Sequence, residues 1–153
     1  MPLVSNIPIF SELHKEVRRV ILVRSGSVIG IDGFLVDVEV DVRPGLPGFE
    51  IVGLPSKAVK ESRERVRSAL RNSNYRFPAQ KVVVNLAPAH YRKDGVLFDL
   101  PIAIGILAHL GVISSDKIGR LLFAGELSLG GALKPITGVL SLAHLAHQQD
   151  LGL

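Results

Sequence analysis

From Val36 to Arg43 apolar and polar residues alternate without a break. Val36, Val38, Val40 and Val42 fall on one side, and Asp37, Glu39, Asp41 and Arg43 on the other. A period of two places the valines on one face of a β-strand, so the segment reads as a half-buried strand with one wet face. Pro44-Gly45-Leu46-Pro47-Gly48 breaks it, and Phe49 to Leu54 reads as the next strand. Upstream, Val28 and Ile29 lead into Asp32-Gly33, a dipeptide suited to the φ > 0 positions of a tight hairpin turn.

The period then changes. Pro55-Ser56 opens a helix running to about Asn72, with Val59, Ser62, Val66, Ala69 and Leu70 on its inner face. Lys81 to Leu86 is a short Val-rich strand ended by Ala87-Pro88, and a loop through Tyr91 leads to an apolar helix starting near Asp99. Pro101 is tolerated in the first turn of that helix, where its missing N–H has no intrahelical partner to lose. Leu121 to Leu129 reads as a strand, Gly130-Gly131 as a hairpin turn and Ala132 to Ile136 as its partner, before a last helix from about Gly138 to Gln149.

Residues 1–26 read as an N-terminal extension. Phe10, Leu13, Val17, Val20 and Ile21 recur there at helical spacing behind Ser11 as N-cap, so a short helix is expected. The predicted order is β-β-β-α-β-α-β-β-α, an α/β (α+β) two-layer sandwich with a mixed sheet. Leu153 closely follows a helix, where another strand is expected, so the chain reads as truncated at that end.

Composition narrows the classes. A chain of 153 residues, 47% hydrophobic and 21% charged, is one globular domain able to bury a continuous core. The absence of cysteine excludes a disulfide framework, a thiol nucleophile and a Cys-based zinc site, and fits a cytoplasmic location. No secretory signal is expected, because Glu12, Lys15, Glu16, Arg18 and Arg19 interrupt the apolar stretches near the start. The apolar run Leu100 to Ile113 falls short of the ~20 residues that span a bilayer and reads as a buried helix.

Candidate chemistry is sparse. The nearest approach to a P-loop is Gly48-Phe49-Glu50-Ile51-Val52-Gly53, but Leu54-Pro55 stand where Lys and Ser/Thr must contact phosphate and Mg. Of His14, His90, His109, His144 and His147, only His144 and His147 share a helix face, without the further ligands a zinc site needs. The net charge of +4 matters through its location. The helix over 56–72 carries Lys57, Lys60, Arg63, Arg65, Arg67 and Arg71 against Glu61 and Glu64. Lys60, Arg63, Arg67 and Arg71 form one stripe opposite the apolar face. The stripe suits phosphate-backbone contact. A solvated face laced by pairs such as Glu61–Arg65, or a docking face for an acidic partner, fits the same pattern.

Several segments carry a resemblance. Gly30-Ile31-Asp32-Gly33, Val38-Glu39-Val40-Asp41 and the run from Pro44 to Pro55 resemble the N-terminal domain of the Mg-chelatase-subunit-like (ComM/YifB-type) AAA+ ATPases. So do Ala58 to Arg67, Val84-Asn85-Leu86-Ala87-Pro88-Ala89, Arg92-Lys93-Asp94-Gly95, Phe98 to Ala103 and Gly125-Glu126-Leu127-Ser128-Leu129. The match covers roughly residues 27–150. It implies a Lon-protease-like, ribosomal protein S5 domain 2-like fold over 27–153, with the AAA+ module lying outside this chain. It also implies a hexameric ring, with the chain's own AAA+ module and neighbouring subunits as partners, and in the ComM group a DNA helicase that drives branch migration in natural transformation. ATP and Mg are expected in the AAA+ module. No cofactor, metal or membrane contact is expected in this chain.

Lon proteases use a Ser–Lys dyad. Their Pro-Lys-Asp-Gly-Pro-Ser-Ala-Gly segment is similar to Arg92-Lys93-Asp94-Gly95-Val96-Leu97-Phe98-Asp99, which puts Leu97 at the nucleophile position. Their Pro-Ile-Gly-Gly-Leu-Lys segment is similar to Pro135-Ile136-Thr137-Gly138-Val139-Leu140, which puts Leu140 at the base. Nucleophilic catalysis needs both partners, so no catalytic residue is expected. The expected role is a non-catalytic accessory domain touching DNA through Lys60, Arg63, Arg67, Arg71, Arg92 and Lys93. A pure subunit-assembly module is the alternative, and a residual Lon-type peptidase ranks third.

Overall fold

The computed structural model describes residues 20–153. Strands β1 (Ile21–Ile29), β2 (Asp32–Arg43), β3 (Gly48–Val52) and β4 (Lys81–Ala87) form one sheet in the order β1-β2-β4-β3. β1 with β2 and β2 with β4 are antiparallel, while β3 joins β4 in parallel, so the sheet is mixed as the sequence predicts. Helices α1 (Lys57–Asn72) and α2 (Asp99–His109) carry its second layer. A single-turn helix α3 (Ser115–Ile118), a small hairpin of β5 (Glu126–Leu127) and β6 (Leu133–Lys134), and α4 (Val139–Gln148) complete the chain.

The alternation in β2 decides the layers. Val36, Val38, Val40 and Val42 pair across the sheet with Ser25, Val23, Ile21, Leu86, Val84 and Val82, all buried. On this face lie Val59, Val66, Ala69 and Leu70 of α1 and Ile102 and Ile106 of α2. The Val, Leu and Ile side chains among them each contribute about 1.5–3 kcal/mol on burial. The opposite face carries Arg24, Asp37, Glu39 and Asn85, joined as Arg24–Asp37 (3.4 Å) and Asn85–Glu39 (2.8 Å). α4 lies on the hairpin end of that face, where Leu145 and Ala146 cluster with Leu35, Leu122 and Leu151. Gly33 makes this approach feasible, since a Cβ there would stand 2.8 Å from the Ser141 carbonyl oxygen.

Three local expectations are corrected. The β1–β2 turn is Gly30-Ile31, with Gly30 at φ 63°, while Asp32 and Gly33 pair inside the ladder with Ile29 and Val28. Ile21 starts β1 rather than closing a helix, and Val20 is in no helix either; Phe10, Leu13 and Val17 lie outside the described residues. The strand expected over Leu121–Leu129 is reduced to single bridges, Leu122 to Arg24 and Leu121 to Gly152, and the short β5.

α1 is fixed at both ends. Ser56 is the N-cap, its Oγ accepting from the Val59 amide at 3.3 Å. At the other end Asn74 turns left-handed (φ 64°), the Asn74 amide donates to the Arg71 carbonyl, and the Tyr75 amide donates to the Leu70 carbonyl at 2.9 Å. This is a Schellman closure with asparagine where glycine is commonest. Asn74→Val is expected to cost about 1–2 kcal/mol, because a β-branched side chain resists the left-handed region. Urea denaturation of the variant checks this.

Candidate nucleic-acid interface

The capped α1 presents its basic stripe outward, and the stripe divides in two. Arg63 Nε donates to the Lys60 carbonyl at 3.0 Å, and its Nη1 to the Phe49 carbonyl at 3.3 Å. Arg67 lies 5.2 Å above the Phe77 ring centre and 5.9 Å from that of Phe49, and pairs with Glu64 at 3.5 Å. The two rings pack at 5.1 Å and hold this guanidinium against the sheet edge. Lys60 and Arg71 are exposed, and neither pairs with a carboxylate among the described residues. Arg92 is exposed on the β4–α2 loop.

Two basic residues are turned inward. Lys93, expected at a phosphate-contacting surface, is fully buried. Its Nζ donates to the Gly53 carbonyl at 2.8 Å and to the Pro88 carbonyl, and burial lowers its pKa from the ordinary lysine value. Its backbone bonds Leu54 and Ser56, so this one residue ties the β3–α1 connection to the β4–α2 loop. Lys93 therefore leaves the candidate interface. Arg65, for which a pair with Glu61 is one of the sequence-based alternatives, grips the fully buried Asp99 through Nε (2.7 Å) and Nη2 (3.1 Å). The hydrogen bond to Asp99 raises the Arg65 pKa.

Beyond the end of α1 lies a cleft that sequence reading did not find. Arg71, Asn74, Tyr75, Arg76 and Phe77 line it, and its open volume is about 390 Å³. Tyr75 keeps 38% of its surface exposed, and Arg76 is exposed beside it. An aromatic residue flanked by arginines was the available signal.

A second cleft, about 480 Å³, lies where the Lon resemblance places a nucleophile. Ser27, Val28, Asp94, Gly95, Leu97, Thr137 and Gly138 are among its lining residues. The Asp94 carboxyl is held below its ordinary pKa by the Ser56 hydroxyl and then the Gly95 amide. Leu97 faces this cleft, while Leu140 is 85% exposed at the start of α4 and outside its lining. Around the rim, Ile29, Ile31 and Val139 are also exposed, and Ser141 Oγ donates to the Ile31 carbonyl at 2.7 Å, drawing α4 and the hairpin tip together. His144 and His147 are both exposed, and no group of three or more His, Asp or Glu among the described residues could hold a metal. No helix among the described residues is long and apolar enough to cross a membrane.

Residues 38–152 match the family model of the ChlI subunit of Mg-chelatase. Competence protein ComM of Haemophilus influenzae is 46% identical over 129 residues, 84% of this chain and 25% of that protein. The uncharacterized protein YifB of Escherichia coli is 44% identical over 122 residues, 80% of this chain and 24% of that protein. An uncharacterized protein of Mycobacterium tuberculosis is 39% identical over 126 residues, 82% of this chain and 25% of that protein. The chain thus spans about a quarter of the length of the curated relatives it matches. By sequence match and by the mixed-sheet architecture that accompanies it, the chain belongs to the family of the ChlI subunit of Mg-chelatase, alongside ComM and YifB.

Proposed function

We propose that this chain serves as a non-catalytic, DNA-contacting domain of a cytoplasmic AAA+ ATPase of the ComM type. In that setting the ATP and Mg chemistry resides in a separate module of a hexameric ring, and the ring drives branch migration of DNA. The observation that carries the reading is the exposed basic surface of α1, with Lys60, Arg63 and Arg71 presented to solvent on a helix fixed at both ends. Phosphate neutralisation by such a surface gives an affinity that falls steeply with salt. The aliphatic side chains Leu97 and Leu140 at the Lon dyad positions support the non-catalytic part, since neither can carry a proton or attack a carbonyl.

The test is fluorescence-anisotropy titration of the chain against labelled forked and single-stranded DNA at low and high salt. Binding is expected in the micromolar range at low salt, weakening as salt rises. The variant with Lys60, Arg63 and Arg71 changed to Glu is expected to lose it. Absence of binding by folded wild-type protein at low salt would sink the DNA reading for this domain.

Subunit assembly is the second reading, favoured by one observation. Ile29, Ile31, Val139 and Leu140 are each exposed and adjoin Val28, Gly30 and Gly138 of the larger cleft, and such apolar side chains suit a neighbouring subunit rather than phosphate. Association through it would persist in high salt, which separates the two readings.

A further inference from the structure

The cleft at the end of α1 has a composition that the phosphate-binding stripe alone does not explain. Tyr75 lines it with 38% of its surface exposed, and Arg71 and Arg76 flank the ring on either side in sequence. The Schellman closure sets where the chain leaves the helix: the Tyr75 amide is bonded to the Leu70 carbonyl at 2.9 Å, so the backbone of Tyr75 is placed just beyond the end of α1. Phe77, which also lines the cleft, packs against Phe49 and lies under the Arg67 guanidinium. Neither Arg71 nor Arg76 pairs with a carboxylate among the described residues. An exposed aromatic ring that shares its cleft with two arginines, neither paired with a carboxylate among the described residues, complements a flat base and its neighbouring phosphates. A duplex cannot use such a ring, because its bases are stacked and paired; an unpaired strand can.

We infer that this cleft binds one nucleotide of single-stranded DNA, its base stacked on Tyr75 and its flanking phosphates held by Arg71 and Arg76. The inference rests on the DNA-contacting reading and adds strand preference to it. Lys60 and Arg63 then supply contact with either form of DNA, and Tyr75 supplies discrimination between them. The open cleft of about 390 Å³ has room for a base, and stacking uses the flat face that every base presents, so the site does not read sequence.

The experiment uses a labelled 12-mer of deoxythymidine and a duplex of equal length. Tyr75→Ala is expected to weaken single-strand binding about tenfold or more and to leave duplex binding unchanged, while Tyr75→Phe retains both. Arg76→Ala is expected to lower the single-strand salt slope by about 0.7, the share of one phosphate. The sequence holds two tyrosines and no tryptophan, so in a Tyr91→Phe background the tyrosine emission comes from Tyr75 alone. Quenching of that emission by the 12-mer, but not by the duplex, reports stacking directly. Circular dichroism of each variant establishes that it is folded.

The proposal is overturned if Tyr75→Ala weakens both forms equally, if it weakens neither, or if the 12-mer leaves the emission unchanged. It is overturned as well if polyglutamate of equal charge displaces the 12-mer as effectively as unlabelled 12-mer, for the surface is then one for acidic protein. If Lys60→Glu with Arg63→Glu abolishes binding while Tyr75→Ala alters nothing, the stacking site fails and DNA contact stands. If wild-type protein binds neither form at low salt, the DNA-contacting reading fails with it.

Discussion

Arg65→Ala is expected to cost about 3–5 kcal/mol of folding stability, because it strands a buried carboxylate. Asp99 has no exposed surface, and its carboxylate is held by two hydrogen bonds from Arg65 and one from the Leu127 amide at 3.1 Å. The pair thereby joins α1, the start of α2 and the β5–β6 hairpin. Arg65 itself is anchored by the Ala58 carbonyl and the Ser62 hydroxyl, both at 3.3 Å, so its guanidinium is already oriented when Asp99 packs. Removing the arginine leaves one amide to satisfy a charge that water cannot reach. For a domain whose whole stability is about 5–15 kcal/mol, such a loss shifts the urea midpoint far. The companion Arg65→Leu with Asp99→Leu is expected to recover most of it, since removing both charges also removes their desolvation cost. Denaturation midpoints of the wild type, Arg65→Leu, Asp99→Leu and the double variant give the coupling. Additivity of the two single losses would overturn this account of the pair.

Lys93→Met is expected to cost about 2–4 kcal/mol, despite replacing a buried lysine with a side chain of similar length. The ammonium is the donor for the Gly53 and Pro88 carbonyls, and each acceptor left unpaired in the interior costs about 1–3 kcal/mol. Relief of the buried charge offsets part of this. Gly53 cannot move to find another donor: a Cβ at this residue would stand 2.2 Å from the Leu86 oxygen, so its backbone already lies against β4. The pH dependence has a definite sign. Burial lowers the folded-state pKa of Lys93, so between that value and the ordinary 10.5 the unfolded chain binds more protons than the folded one. The cost of burying the charge is therefore absent above the unfolded value, where a neutral amine can still donate, and is present in full once pH falls through the folded one. Wild-type stability, measured against Lys93→Met, is expected to rise with pH across that alkaline window. A flat difference would contradict it.

Both expectations concern residues whose role the sequence did not reveal. Lys93 stands in Arg92-Lys93-Asp94-Gly95, where two adjacent bases on a loop suggest a phosphate contact, yet only Arg92 faces water. The lysine's acceptors lie 40 and 5 residues away, on loops that meet only once β3 and β4 pair in parallel. Arg65 stands four residues after Glu61, the spacing of a helical ion pair, but its partner is 34 residues distant. A surface i, i+4 pair is worth a few tenths of a kcal/mol, whereas a bidentate pair with a desolvated carboxylate couples far more strongly. The nearer partner loses.

What the sequence determined by itself is the periodic part of the molecule. Alternation fixed β2 and its buried face, and the apolar spacing of Val59, Ser62, Val66, Ala69 and Leu70 fixed which side of α1 turns inward. Both patterns follow from burial within one element, so they can be read locally. The tertiary structure decided the rest. It placed the hairpin turn at Gly30-Ile31 instead of Asp32-Gly33, because register follows the whole ladder and the approach of α4 to Gly33. It also decided which basic residues face solvent, since a long cationic side chain can snorkel outward or bridge inward from the same helix or loop position. Only the arrangement of distant carbonyls and carboxylates around it settles which.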